Sequence, residues 1–392
     1  MLYNNILLQT YSPEGLNASL ISFYSEWKER YLRTVSNTYP TQQYLFYTLD
    51  QPNLLPAVTC SEAMGYGMFI FPMMSIFDPN AKHHFHALYR YIQHYPSFYN
   101  PHLMAWQQIM TPDGHIINAT SDTSSATDGD MDISYGLLLA HRLWEQDKDI
   151  DYLQEARLHI QALMTSCVSP KDSILYLGDW VSGLQENDFK YVTRSSDFMG
   201  YLIKIFAQVD RKNKRRWLQV LSCINHIIDS QLTRQSKTNG LMPDFFKKEG
   251  KSYMAPTSQV LESLHDGDYF YNSCRTPWRY AMNSILFHSP TSYEVHLLNQ
   301  WIKKKTKGMP SQIVSGYYIA NGIPGEGFGE PNNLAFIAPF LVSAIAEKGN
   351  DAWILSLWNT LLAKPIDECT FYENTLKLIA MIIATGNWLS PI

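Results

Sequence analysis

The 392 residues carry 31 basic and 36 acidic side chains, for a net charge of −5. Charged residues make up only 17% of the chain, against a usual ~25%, and aromatics reach 14%. Those figures exclude a disordered, collagen-like or coiled-coil chain, and the basic footprint of a general nucleic-acid binder is absent.

In chain order, apolar side chains spaced by three or four predict helices near 16–31, 61–76, 79–94, 128–145, 150–166, 195–209 and 212–230. Five more follow near 274–287, 290–304, 331–348, 351–362 and 368–385. Strand alternation hardly appears. Short connections such as Asp78-Pro79-Asn80 favour antiparallel neighbours. The long joins 95–127, 167–194 and 232–273 are rich in Gly, Pro, Asp, Tyr and Trp, and long ordered loops usually carry function. About twelve helices with long loops at one end fit a toroid of helical hairpins in one domain, 1–392. Periodicity alone does not close such a ring. The basic runs Arg211 to Arg216 and Lys303 to Lys307 read as solvated helix ends. Five scattered cysteines without C-x-x-C spacing indicate neither a zinc site nor a disulfide framework. Met1 to Gly15 lacks the features of a secretion signal, and no apolar run approaches the ~20 residues of a membrane span.

Three stretches carry chemistry. In Ser124 to Ile133, three acids fall within five residues at a predicted helix start, where Ser or Thr supplies an N-cap and acids suit the macrodipole. Asp128 and Asp132 share one face. Capping accounts for one or two of these acids, and a functional role for the rest is the competing reading. A calcium loop fails, because its Gly and Glu positions hold Ile133 and Leu139. The His83, His84 and His86 cluster forms no zincin pattern and reads as a solvated helix face. In Val58 to Met68, Ser61 caps a helix, and Glu62 stands among Met, Phe and Tyr. Partial desolvation there would raise its pKa, as a general acid requires, although a plain first-turn Glu is the bland alternative. Gly65 and Gly67 inside that helix each cost about 1 kcal/mol relative to Ala, which points to close approach of a backbone or a ligand. In Glu262 to Arg279, acids, aromatics and two arginines converge where a helix restarts at Pro277. Arg275 is placed to pair with a cleft carboxylate, and Arg279 reads as structural.

Together these stretches resemble glycoside hydrolase family 8. The matching elements are Ser61 to Met68, Ala126 to Ile133 and Arg275 to Arg279, in the family's order and across nearly the whole chain. The resemblance implies an (α/α)6 barrel, all-α, and an inverting endo-hydrolase of β-1,4-linked polysaccharide. Glu62 falls on the family's general acid, with Tyr66 four residues later in the same element as a substrate contact, and Asp128 on the residue that binds the distorted sugar. Many members carry Asp three residues before Arg275 as general base, whereas this chain has Asn272. It is therefore closer to the branch in which a Glu in an extended upstream loop serves. Glu262 takes that role here, with Asp266 and Asp268 as competitors. Asp197 sits where relatives place a residue near the attacking water.

An inverting pair of carboxyls stands about 6.5–9.5 Å apart, which is the separation expected for Glu62 and Glu262. Trp106 and Trp180, on long loops, are expected as sugar platforms, with a core position as the alternative, and Trp278 as core. Chitosan and β-glucan both remain open as substrates. Asp122, Asp128, Asp130, Asp266 and Asp268 would favour the cationic polymer if they faced the cleft. A polymer substrate implies action outside the cytoplasm, by a monomer with no cofactor or metal. A non-catalytic polysaccharide-binding protein, and more weakly a toroid doing prenyl chemistry on the Asp128 to Asp132 acids, are the other readings.

Overall fold

The computed structural model describes residues 5–119, 123–145, 147, 149–183 and 187–391. Among them are twelve helices of ten residues or more. These are α1 (Pro13–Tyr31), α2 (Ser61–Met74), α3 (Ala81–His94), α4 (Thr127–Trp144), α5 (Tyr152–Ser166) and α6 (Gly200–Val209). The second half holds α7 (Lys214–Arg234), α8 (Thr276–Phe287), α9 (Tyr293–Lys305), α10 (Leu334–Ile345), α11 (Asp351–Ala363) and α12 (Phe371–Ala384). Each falls on a periodic segment of the sequence. The largest change of boundary is at 195, where a 3-10 turn, Ser195–Asp197, precedes α6.

Even-numbered helices form an inner ring and odd-numbered helices an outer one. α2 packs on α4, α6 on α8, α8 on α10, α10 on α12, and α12 returns to α2, which closes the ring. The Ser195–Asp197 turn bridges α4 and α8. Outside, α1 covers α12, α3 covers α2, α5 covers α4 and α7 covers α6, while α9 and α11 lie against α10. This is the (α/α)6 barrel. Sequence dictates the layers. Every residue of α10 is buried, as is every residue of α2 except Glu62. By contrast α1 buries one stripe, Leu16, Leu20, Phe23, Tyr24, Trp27 and Tyr31, and shows its other face to water.

Glycine sets the approach of α2 to α4. A Cβ added at Gly129 would lie 2.5 Å from the Ser61 carbonyl carbon, and one at Gly65 would lie 2.8 Å from the Gly129 carbonyl oxygen. The neighbour anticipated from Gly65 is thus a backbone, whereas Gly67 makes room for the side chains of Leu88 and Leu45. The expected caps are absent: Cys60 and Ala126 occupy the N-cap positions of α2 and α4 with no side-chain capping bond. Ser61 instead donates its backbone N–H to the Trp106 carbonyl at 2.8 Å, and Thr127 donates its hydroxyl to the Tyr176 carbonyl at 2.6 Å. The helix mouths are tied to neighbouring loops rather than to their own side chains.

Among the described residues, eight short strands escape the periodicity analysis. β1 (Leu32–Thr34) pairs with β2 (Gln43–Leu45), and β3 (Ala57–Cys60), β4 (Gln107–Met110) and β5 (Ile116–Asn118) form one three-stranded sheet. β6 (Val192–Arg194), β7 (Phe245–Glu249) and β8 (Ser252–Met254) form another. All partners are antiparallel. The second sheet brings Trp106 beside the start of α2, and the third sets Arg194 opposite Phe245. The histidine cluster is not a solvated face throughout: His86 is buried and bonded to the Tyr152 hydroxyl at 2.5 Å, because that side of α3 meets the next outer helix.

Candidate active site at the mouth of the barrel

Glu62 in the first turn of α2, Asp128 in the first turn of α4 and Arg275 just before α8 meet at one end of the inner ring. Arg275 Nη1 donates to Asp128 Oδ2 at 2.9 Å and, more tightly, to Glu62 Oε2. The Glu62 side chain keeps 22% of its surface exposed, while Arg275 keeps 2%. Burial raises the Glu62 carboxyl, Arg275 opposes this and the Asp128 charge adds to it, leaving it pushed up to about 7. Asp128 shows the opposite balance. Burial would raise it, but Arg194 and Arg275 outweigh that and hold its carboxyl well below the usual range.

Arg194, at the end of β6, ties the second half of the site together. Its Nη2 donates to Asp128 Oδ1 at 2.9 Å and its Nε to Asp197 Oδ1 at 3.1 Å, and its Nη1 lies 3.7 Å from Glu262 Oε1. Asp197 is fully buried, and its Oδ2 has no hydrogen-bond partner among the described residues. Burial raises this carboxyl to about 6, with Arg194 opposing and Asp128 adding. The Glu262 side chain is 44% exposed and accepts from Asn272 Nδ2 at 2.7 Å. Asn272 Oδ1 in turn accepts from Arg275 Nη2 at 3.0 Å. A continuous ladder, Glu62–Arg275–Asn272–Glu262, therefore joins the two exposed carboxyls across the mouth.

The competitors for the water-activating role are engaged elsewhere. Asp266 accepts the backbone N–H groups of Val260, Leu261 and Glu262 on Oδ2, at 2.7, 2.7 and 3.1 Å, and that of Ser263 on Oδ1 at 2.8 Å. Asp268 accepts those of Ile319, Ala320 and Asn321 at 2.8, 3.0 and 3.2 Å. Neither exposes any surface. Both carboxylates organise backbone, and Asp266 shapes the very loop that carries Glu262. Of the acids thought to make the cleft negative, Asp128 is neutralised by two arginines, and Asp130 is fully buried against the Met104 N–H at 2.9 Å. Asp122 lies outside the described residues.

Beside the ladder runs an open cleft of about 660 Å³, bounded by Tyr99, Trp106, Trp180, Phe189, Arg194 and Glu262. Both tryptophans predicted as platforms thus face it, and Trp180 meets Phe189 edge-on at 4.9 Å between ring centres. Trp278 is core, 1% exposed. Tyr66 departs from its expected place. It is fully buried between Phe69 and Trp278, with its hydroxyl 3.4 Å from Arg275 Nη1, so it backs the guanidinium instead of facing the cleft. Arg279 is structural, holding Asp132 through two bonds of 2.9 and 2.5 Å.

Two residues of the site went unassigned in the sequence. Arg194 had a local signal, an acid at i+3 within Thr193-Arg194-Ser195-Ser196-Asp197. Asp244 had none, because its partners at 270–273 lie beyond a strand pair and a long loop.

The family model described as "Glycosyl hydrolases family 8" matches residues 26–386. A "Beta-glucanase" of Niallia circulans is 37% identical over 378 residues, covering 96% of this chain and 86% of the relative. An "Endoglucanase" of Bacillus sp. (strain KSM-330) is 30% identical over 393 residues, covering 100% of this chain and 81% of the relative. The solved apo structure of a β-1,3-1,4-glucanase from Paenibacillus sp. X4 superposes with a TM-score of 0.84 at 36% identity, covering 97% and 94% of the two chains.

Proposed function

The chain belongs to glycosyl hydrolase family 8 and is a glycoside hydrolase; from that premise we propose that it cleaves internal β-1,4 linkages of a neutral β-glucan with inversion. Glu62 is the proposed general acid and Glu262 the general base. The observation that carries this is the contrast between the two carboxyls. The Glu62 carboxyl is raised to about 7 at a partly buried helix end, so a large share keeps its proton up to neutral pH, while Glu262 hangs from a loop with nearly half its surface exposed.

The steps follow from these positions. A glucan chain lies along Trp106 and Trp180, whose indole faces pack against pyranose C–H groups. Asp128, kept ionised by Arg194 and Arg275, accepts hydroxyl hydrogen bonds from the sugar at the point of cleavage. Glu62 delivers its proton to the glycosidic oxygen as the C1–O bond breaks. Glu262 takes a proton from water as the water oxygen bonds C1 from the opposite face, and the β linkage yields an α product. Asp197 supports this water through Arg194, with Asn272 directing Glu262.

Charge favours neutral glucan over chitosan. Of the acids expected to attract a cationic polymer, Asp128 is paired with arginine and Asp130, Asp266 and Asp268 are buried, so none of these four gives the cleft wall a free negative charge. The names of the similar proteins, a beta-glucanase and an endoglucanase, agree with a β-glucan. A binding module without catalysis has no use for a carboxyl raised to about 7 at the cleft. Prenyl chemistry loses its acids, since Asp128 and Asp132 are both paired with arginine. No helix among the described residues is long and apolar enough to cross a membrane. The protein is proposed to act as a monomer, without metal or cofactor, on a polymer met outside the cell.

Reducing-end release from lichenan, carboxymethyl-cellulose and chitosan, measured side by side, tests the substrate: the first two are expected to be cleaved and chitosan not. NMR of the fresh product tests the stereochemistry, and an initial β-anomer would sink the inverting mechanism.

A further inference from the structure

We propose that Asp244 is a positioning residue which, through the Asn272 carboxamide, aims the Glu262 carboxylate; this rests on the reading of Glu262 as the base. Asp244 stands just before β7 and is 2% exposed. Its Oδ1 accepts from the Phe270 N–H at 3.0 Å and from the Ser273 N–H and hydroxyl at 2.7 and 2.6 Å. Its Oδ2 accepts from the Asn272 N–H at 3.1 Å and from Asn272 Nδ2 at 3.4 Å. No lysine or arginine is among these partners.

The donor and acceptor inventory then fixes the Asn272 side chain. An arginine offers only donors, so the group facing Arg275 must be the carbonyl Oδ1. Asp244 Oδ2 already accepts from the Asn272 N–H and so acts as an acceptor toward this residue; the NH2 group therefore faces Asp244 and Glu262, giving one hydrogen to each. Asp244 thereby dictates which way the amide points, and the amide dictates where Glu262 Oε2 sits. An Asp at position 272 would instead crowd three carboxylates together, with Asp244 having no cation among its partners. Asn272 and the loop Glu262 are matched by this buried acid.

Asp244→Asn keeps the shape and the acceptor for Ser273 and Phe270, but sets an NH2 group against the donors of Asn272. Its effect is read in the wild type and in Glu262→Gln, with folding checked by circular dichroism and thermal melting. If Asp244 acts through Glu262, kcat on lichenan falls roughly tenfold or more in the wild type with KM unchanged, and little further in the Glu262→Gln protein. Equal losses in both backgrounds, or a loss carried by KM, would overturn the positioning role. Should Asp244→Asn fail to fold, Asn272→Ala removes the relay itself and is read by the same cycle. Wild-type activity in Glu262→Gln alone would instead remove the base reading, and the positioning role with it.

Discussion

Two acid–arginine pairs join α4 to the start of α8, each spanning 147 residues, and they lie one helical turn apart on both sides. Asp132 and Arg279 form the inner pair. Their side chains are 1% and 0% exposed, their two bonds run in parallel, and the remaining strong partner is the Tyr201 hydroxyl at 2.8 Å. Asp128 and Arg275 form the outer pair at the mouth. There each partner is shared: Arg275 also serves Glu62, Asn272 and Tyr66, and Asp128 also serves Arg194. The same two residue types at the same spacing thus close on themselves in the core and stay divided at the surface. A shared ion pair can let a substrate hydroxyl in; a closed one cannot.

The contrast is sharpened first at the acid attached to the outer pair. Glu62→Gln should lower kcat by about 10²–10⁴-fold, the usual worth of general acid–base catalysis, with the melting temperature unchanged. Reducing-end assays and a thermal melt check both halves of that statement. For the inner pair the expectation reverses. Asp132→Ala leaves a buried guanidinium without its carboxylate and should destabilise the fold by about 3–5 kcal/mol, read by denaturant unfolding. Asp128→Asn should cost clearly less stability, since Arg275 keeps Glu62 and Arg194 keeps Asp197, while still reducing kcat. Equal destabilisation by the two substitutions would erase the distinction.

A pH profile probes the outer pair without mutation. As the proposed general acid, Glu62 acts in its protonated form, and its carboxyl is raised to about 7, so the active fraction is expected to fall as pH rises through that value. kcat/KM should therefore show an alkaline limb near pH 7, losing about tenfold per unit beyond it, and that limb should vanish from the residual activity of Glu62→Gln. The smallest effect is expected furthest from the pairs. Trp106→Ala should raise KM several-fold, in line with about 0.5–1.5 kcal/mol for one aromatic contact, with kcat nearly unchanged.

The outer helices were legible from an apolar period such as that of α1, and wholly buried inner ones such as α10 from apolar runs of helical length. The strands were not, since three residues such as Val192–Arg194 show no alternation and owe their state to Phe245–Glu249 more than fifty positions away. At the site, Glu62, Asp128 and Arg275 announced themselves by motif and by their places at helix starts. Tyr66 was legible as near the site but not as behind it, because helical phase does not say which neighbour covers a ring. Asp266 and Asp268 looked as available as Glu262 until their backbone partners came into view. A carboxylate committed to backbone amides and one facing a cleft read alike in sequence.

The glycine crossing of α2 on α4 bears on how such a chain can diversify. The distance between Glu62 and Asp128 is set by atoms that are missing at Gly65 and Gly129, where any side chain would strike backbone. No single substitution there can widen the spacing by a tolerable step, for the opposing helix would have to retreat at the same time. Room to reshape the cleft without moving these two helices lies instead in the loops that carry Trp106, Trp180 and Glu262.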